Sequence, residues 1–189
     1  MILMRHGESE FNVIYKKTRV DPGIRDPELT VLGQQQVRAA IKHLKKHKID
    51  KVLTSPYTRA LQTAVIVAER LKIRIEVNAK IGERAAFTCD IGTPAEQLRR
   101  SWPLLNLDAL DDIWWPTPVE SDYELNDRCL QFRRSHADIL AWKTTLVVSH
   151  WGFIRCLTGY TVGNTQLVEY FPDQDRRGGA TILPMNIPC

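Results

Sequence analysis

No stretch of this chain approaches the roughly 18–20 continuous apolar residues that a membrane span requires, so no transmembrane helix is expected from the sequence. Cysteine is scarce and scattered: Cys89, Cys129, Cys156 and Cys189 form no CxxC pair, which argues against a disulfide framework and for reduced thiols of an intracellular protein. No basic-then-apolar signal segment precedes the first apolar run, and a cytoplasmic location is the expectation. The formal charge of +4 is mild and nowhere gathers into the basic stripe that nucleic-acid binding needs. Internal repeats and low-complexity tracts are missing as well. Histidines number five, and the pair with metal-ligand spacing, His43 and His47, lies among Lys42, Lys45, Lys46 and Lys48; a solvated basic face is the better reading, and no metal site is expected.

What is present is an ordinary globular composition, 43% apolar over 189 residues, long for one minimal domain and short for two. The expectation is a single domain over residues 1–189 with a lid-like insertion. Met1–Met4 reads as a short buried strand. Residues 8–28, with the turn signals Asp21-Pro22-Gly23 and Asp26-Pro27, read as irregular. Thr30 suits the N-cap of a helix ending near Lys48, in which Val37, Ile41 and Leu44 share a face. Strands are expected at Lys51–Thr54 and, by alternation, at Ile73–Val77, with a helix between them opened by Ser55-Pro56.

Residues 79–121, rich in glycine and proline up to Pro116 and Pro118, predict an irregular insertion with one short helix near Ala95–Trp102. A long helix from about Asp122 to Trp142 follows, with Leu125, Cys129, Phe132, His136 and Ile139 on one stripe, which makes His136 a packed histidine rather than a catalytic one. Thr145–Val148 is a β-branched run suited to the centre of a parallel sheet, followed by a helix from Trp151 to Leu157. Late strands are expected near Leu167–Phe171 and Ala180–Leu183. The alternation implies an α/β fold: a three-layer α/β/α sandwich with a largely parallel central sheet.

The chemistry-bearing residues fall at strand ends. Arg5-His6 follow the first strand with Gly7 to turn the chain, Arg59 opens the helix after the Leu53 strand, and His150 ends the Val147-Val148 strand. Parallel strands end on one side of a sheet, where open α/β sheets build their crevices. The helices beginning near Pro56 and Trp151 would add their N-terminal dipoles and amides. Two guanidiniums and two imidazoles converging there suit a doubly charged tetrahedral anion.

Arg5-His6-Gly7-Glu8 with Asn12, Leu29-Thr30 with Gly33 and Gln36, Ser55-Pro56 with Arg59 and Thr63, Glu83, and Val147-Val148-Ser149-His150 together resemble the histidine phosphatase superfamily, in its phosphoglycerate-mutase-like branch. The motifs run in register from residue 1 to about 159. The resemblance implies that His6 is a nucleophile forming a phosphohistidine, that Arg5, Arg59 and His150 hold the phosphoryl group with Asn12 as a further donor, and that Glu83 protonates the leaving group. It implies no metal or other cofactor. The chemistry agrees: a neutral imidazole can attack phosphorus in line, fixed cations meet the charge, and a poor alkoxide leaving group needs a proton.

Asp90, in the same loop, competes with Glu83 for the acid role, and Glu83-Arg84 has the family's Glu-Arg look. Glu8 stands where the mutases of the family carry glutamine, no Tyr-Gly pair follows Glu83-Arg84, and Trp151 follows the second histidine. These departures favour a phosphatase acting on a phosphate monoester over a phosphoglycerate-type mutase. Arg19, Arg25 and Arg84 are candidates for a second anionic group of the substrate. Trp114-Trp115 could form an aromatic lid, though packing of the insertion explains it as well. Two further alternatives are a non-catalytic phospho-ligand binding module and a metallohydrolase using His6, His150 and Glu83; the adjacent arginines disfavour the second. The expected partner is a small phosphorylated substrate, with neither nucleic acid nor membrane, and the oligomeric state stays open.

Overall fold

The computed structural model describes residues 1–117, 119–137, 140–174 and 179–185; Pro118, Ile139 and Cys189 lie outside them. Its sheet contains β1 (Ile2–Arg5), β2 (Lys51–Thr54), β3 (Arg74–Val77), β4 (Thr145–Ser149), β5 (Leu167–Phe171) and β6 (Gly179–Ile182), in the order β3-β2-β4-β1-β5-β6. β1 to β4 run parallel, β5 is antiparallel to β1, and β6 is antiparallel to β5. The helices are α1 (Glu10–Thr18), α2 (Val31–Leu44), α3 (Thr58–Leu71), α4 (Ala95–Ser101), α5 (Asp122–Ala137) and α6 (Trp151–Thr158).

Strand alternation builds the three layers. Ile2, Met4, Val52, Leu146 and Val148 face α2 and α3, where they meet Val37, Ile41, Ala60, Ala64 and Val67. Their neighbours Leu3, Leu53 and Val147 face the other way, onto Leu125 and Phe132 of α5 and Phe153 and Ile154 of α6. The central strands are therefore buried on both sides, which is why β4 carries no polar alternation. Truncating the fully buried Leu146 to alanine would cost about 2–5 kcal/mol.

Several boundaries differ from the sequence reading. Residues 10–18 form a helix where irregular chain was expected. Asn12 Oδ1 takes the Ser9 N–H at 3.1 Å, and Glu10 sits in the first turn, yet only Phe11 is buried, so the apolar periodicity is too thin to read. Thr30 caps α2 as expected, its Oγ1 accepting from Gly33 N at 2.9 Å, but the helix stops at Leu44, its last buried residue. α3 starts at Thr58, beyond Pro56. Its cap comes from afar: Asp26 accepts from Thr58 N at 2.9 Å and from Thr58 Oγ1 at 2.7 Å. α5 ends at Ala137, and residues 140–144 form a separate 3-10 turn with Trp142 buried. His136 is half-buried against Phe132, ring centroids 4.4 Å apart. Lys51, at the opposite end of the sheet from residues 5 and 150, and Glu76 are its charged surroundings.

The insertion divides in two. Its later part packs on α3, where Leu98 and Leu107 meet Leu61 and are flanked by Trp102, Leu105 and Trp114. Trp114 Nε1 donates to the Thr93 carbonyl at 2.9 Å, and the ring lies edge-on to Tyr57 at 4.7 Å. The tryptophan pair is thus packing, not a lid. The earlier part, residues 83–90, borders the crevice. Cys89, Cys129 and Cys156 are free thiols, and no helix of the described residues is long and apolar enough to cross a membrane.

Candidate active site

Sheet register brings the site together. Arg5 of β1 stands opposite Ser149 of β4, and Thr54 of β2 opposite Val148. One residue further on, His6 N–H donates to Ser149 O at 3.0 Å and Ser55 N–H to Val148 O at 3.3 Å. The His6 and His150 rings are consequently neighbours, centroids 5.1 Å apart. Ser55 Oγ lies 2.6 Å from His150 Nε2 and accepts the Tyr57 N–H at 3.3 Å. His6 Nδ1 lies 2.7 Å from the Gly7 carbonyl, which can only accept; that nitrogen carries the proton and Nε2 keeps the lone pair.

The second motif buttresses the first. Gly33 packs so closely on the turn that a Cβ there would fall 2.0 Å from Glu8 O. Gln36 Oε1 accepts the Glu8 N–H at 3.0 Å, and Thr63 Oγ1 accepts the Gly7 N–H at 3.2 Å while donating to Arg59 O at 2.8 Å. Glycine and short polar residues are needed because backbone meets backbone behind His6.

The cations are fixed by carbonyls and one carboxylate. Arg5 donates one amino group to Val162 O at 3.0 Å, and Arg59 donates to Cys89 O at 2.8 Å and to Asp90 Oδ1 at 3.3 Å. Burial lowers the Arg5 pKa to about 10. Burial also works against the Arg59 charge, but Asp90 and smaller contributions outweigh it and hold its pKa above the ordinary value. Arg5 Nε and His150 Nδ1 are buried without a hydrogen-bond partner among the described residues. A buried polar group left unpaired costs about 1–3 kcal/mol, and the guanidinium Nε, which can only donate, marks a place for an acceptor. Asn12 Oδ1 is taken by Ser9 N–H and Asn164 Nδ2, leaving its amide nitrogen to donate toward the cavity it borders.

The two acidic candidates are separated by their bonds. Both Asp90 oxygens are committed: Oδ1 to Arg59 and the Cys89 thiol, Oδ2 to the Ala86 and Phe87 N–H groups at 3.1 and 3.0 Å. Glu83 binds through Oε1 alone, accepting Arg84 N–H at 2.9 Å and Gly152 N–H at 2.8 Å, which leaves Oε2 to carry a proton. A Cβ at position 152 would come 2.4 Å from Glu83 Oε1, so a side chain there would displace the Glu83 carboxylate. Burial first, and then the neighbouring Asp90 charge, raise the Glu83 pKa. Burial, followed by the Arg59 charge, lowers those of His6 and His150.

Of the first-turn amides of α3 and α6, Thr58 N–H goes to Asp26 and Gly152 N–H to Glu83. Arg84 borders the cavity, but its guanidinium is held by Glu120 O at 3.1 Å and Asp122 at 2.9 Å. Arg25 is exposed and borders no part of the cavity, whereas Arg19 does border it. His150, fully buried beside His6, is not itself part of the cavity wall.

Arg128 and Glu120 were not singled out from sequence. Arg128 forms a two-point ion pair with Glu120, at 2.9 and 2.7 Å, and donates to the carbonyls of Lys80, Gly82 and Glu83 at 2.7, 2.9 and 3.4 Å. It therefore fixes the backbone on which Glu83 stands. The cavity above His6 measures about 820 Å³. Among the described residues no group of three or more His, Cys, Asp or Glu side chains could hold a metal ion.

An α/β sheet with two imidazoles and two arginines at its parallel strand ends defines a class of phosphoryl-handling proteins. The family model of the histidine phosphatase superfamily (branch 1) matches residues 1–171, and the chain belongs to that superfamily. The chain is 25% identical over 177 residues to glucosyl-3-phosphoglycerate phosphatase of Mycolicibacterium vanbaalenii, covering 86% of this chain and 74% of that protein. It is 28% identical over 170 residues to the 2,3-bisphosphoglycerate-dependent phosphoglycerate mutase of Bartonella bacilliformis, covering 83% and 78%. Among solved structures, Bacillus stearothermophilus YhfR shares the fold with a TM-score of 0.65 at 22% identity, over 96% of this chain and 94% of that one.

Proposed function

We propose that this protein is a phosphatase that hydrolyses phosphate monoesters through a phosphohistidine on His6, residues 1–189 acting as one domain. The observation that carries this reading is the pair of buried, unpartnered nitrogens, Arg5 Nε and His150 Nδ1, beside an imidazole whose Nε2 keeps its lone pair. A phosphoryl oxygen is an acceptor for the Arg5 Nε–H, and for His150 Nδ1 when that nitrogen carries the proton. Nε2 of His6 attacks phosphorus in line as the ester P–O bond breaks, and the proton on Glu83 Oε2 passes to the departing oxygen. Glu83 then takes a proton from water, the water oxygen attacks phosphorus, and the P–N bond breaks to release phosphate and free His6. Arg5, Arg59 and His150 meet the charge in both transfers. Arg59 keeps its cation through Asp90, so positive charge is built into the pocket and the cycle as written draws on no metal. Glu8 and the missing Tyr-Gly pair favour hydrolysis over a mutase cycle. The free thiols are consistent with a cytoplasmic location.

Brief mixing with a labelled phosphate ester should leave acid-labile, base-stable label on the protein, absent in His6→Ala. Free phosphate should be released, and chelator should leave the rate unchanged. Interconversion of 2- and 3-phosphoglycerate with little phosphate released would make the protein a mutase, and inhibition by chelator reversed by a divalent metal would overturn the mechanism.

A further inference from the structure

The cavity is far larger than a phosphoryl group on a three-carbon chain requires, and its outer wall is aromatic. Phe11 and Tyr15 of α1 stack at 5.1 Å with planes 15° apart, and Phe87 of the insertion closes on both, at 5.6 and 5.1 Å. Phe87 nonetheless keeps 40% of its surface exposed, and all three rings border the cavity. The Phe87 backbone is set rather than loose: Asp90 takes its N–H, and Asp21 takes the next N–H, that of Thr88, at 2.7 Å. Asp90 is also the partner of Arg59, so the ring and the phosphate cation share one anchor. Beside the rings stand Lys16 and Arg19, the latter with its guanidinium 5.9 Å from the Tyr15 ring. Neither has an ion-pair partner among the described residues. The carboxyl end of α1 accounts for cations at positions 16 and 19. It does not account for an anchored ring left open toward the same cavity.

We propose that this wall is a substrate subsite, selecting phosphate monoesters whose organic part is a planar aromatic or heteroaromatic group bearing a second negative charge. The inference rests on the phosphatase reading above. The planar group lies against Phe87 and Tyr15, and the second anion meets Lys16 and Arg19. Stacking on an aromatic side chain is sequence-tolerant and strong enough to dominate selection among esters with equal leaving groups.

Three primary alkyl phosphates test it: glycerol 3-phosphate, adenosine 5′-monophosphate and adenosine 3′,5′-bisphosphate. Calorimetry on His6→Ala removes turnover from the comparison. The monophosphate should bind about tenfold more tightly than glycerol 3-phosphate, as one stacked base warrants, and the bisphosphate more tightly again. Phe87→Ala on that background should close the first gap, and Lys16→Ala with Arg19→Ala the second. Tyr15→Leu, which keeps bulk without stacking, is the second variant should Phe87→Ala fail to fold. Equal binding of all three, or gaps that survive these changes, would overturn the subsite. In the wild type, kcat/KM should favour the monophosphate over glycerol 3-phosphate by a similar factor. Hydrolysis of both without any gap sinks the subsite alone. A binding gap with no hydrolysis of either supports the subsite and sinks the phosphatase reading.

Discussion

Two regions meet at the pocket and are held there on different terms. Arg5, His6, Ser55 and His150 stand at the ends of paired strands, and backbone ladders between β1, β4 and β2 fix their spacing. Glu83, Phe87 and Asp90 stand on a segment with no ladder of its own. Side chains from elsewhere hold it: Arg128 on the carbonyls of Lys80, Gly82 and Glu83, Asp21 on Thr88, and Asp26 on Thr93. In the first region, side-chain changes should alter chemistry and spare geometry. In the second, a single side chain far from the substrate should alter both.

The largest effect should come from the strand-end region. His6→Ala is expected to reduce turnover to the uncatalysed background with the melting temperature little changed, and a kinetic assay beside a thermal melt checks both halves. Arg59→Ala should follow, slowing aryl and alkyl phosphates alike by roughly 10²–10³-fold if it resembles loss of an oxyanion-hole donor, and lowering the melting temperature as well, because it strands the buried Asp90 carboxylate.

The insertion should break differently. Arg128→Leu strands the buried Glu120 carboxylate and should cost about 3–5 kcal/mol in denaturant unfolding. The double variant Arg128→Leu, Glu120→Leu should recover most of that stability, because no unpaired charge remains. It should still turn over alkyl phosphates more slowly than the wild type, since the Gly82 and Glu83 carbonyls have lost their donor. Full recovery of rate with stability would show that the clamp serves only the fold.

Protonation sharpens the comparison further. His6 must be neutral to attack, and its pKa lies below the ordinary 6.5, so kcat/KM should rise with pH on a limb below that value. Glu83 must be protonated to serve the leaving group, and its pKa is raised above 4.5, so the rate on alkyl phosphates should fall as pH rises through that raised value. Glu83→Gln should remove the falling limb and slow alkyl phosphates more than aryl ones, which leave without a proton. The smallest effect belongs to Asp21→Ala, which frees one partly buried N–H and should cost roughly 0.5–1.5 kcal/mol.

The same division explains what could be read from the residues. β2 and β5 appear with the boundaries expected at Lys51–Thr54 and Leu167–Phe171, because a buried strand writes itself as a local apolar run. The strand-end site was legible for the same reason: the position of His150 follows from where Val147-Val148 stops. α1 was not, since one buried residue in nine gives no periodicity. Nor was the Arg128 clamp, whose carbonyl partners lie 45–48 residues away along the chain. An arginine on a polar helix carries no local sign of such a role. The choice between Glu83 and Asp90 likewise needed the bonds, because sequence shows two carboxylates in one loop and not which oxygens are already taken.

On the proposed mechanism, the unpaired nitrogens of Arg5 and His150 would make the fold itself a sensor of anions. A tetrahedral oxyanion that satisfies both binds the native chain and not the unfolded one, and stability then rises with ligand by mass action. At a free phosphate or vanadate concentration 100 times its dissociation constant, that amounts to about 2.7 kcal/mol. Occupancy of the pocket can therefore be followed as a rise in melting temperature, even in His6→Ala, where no bond to phosphorus is ever made.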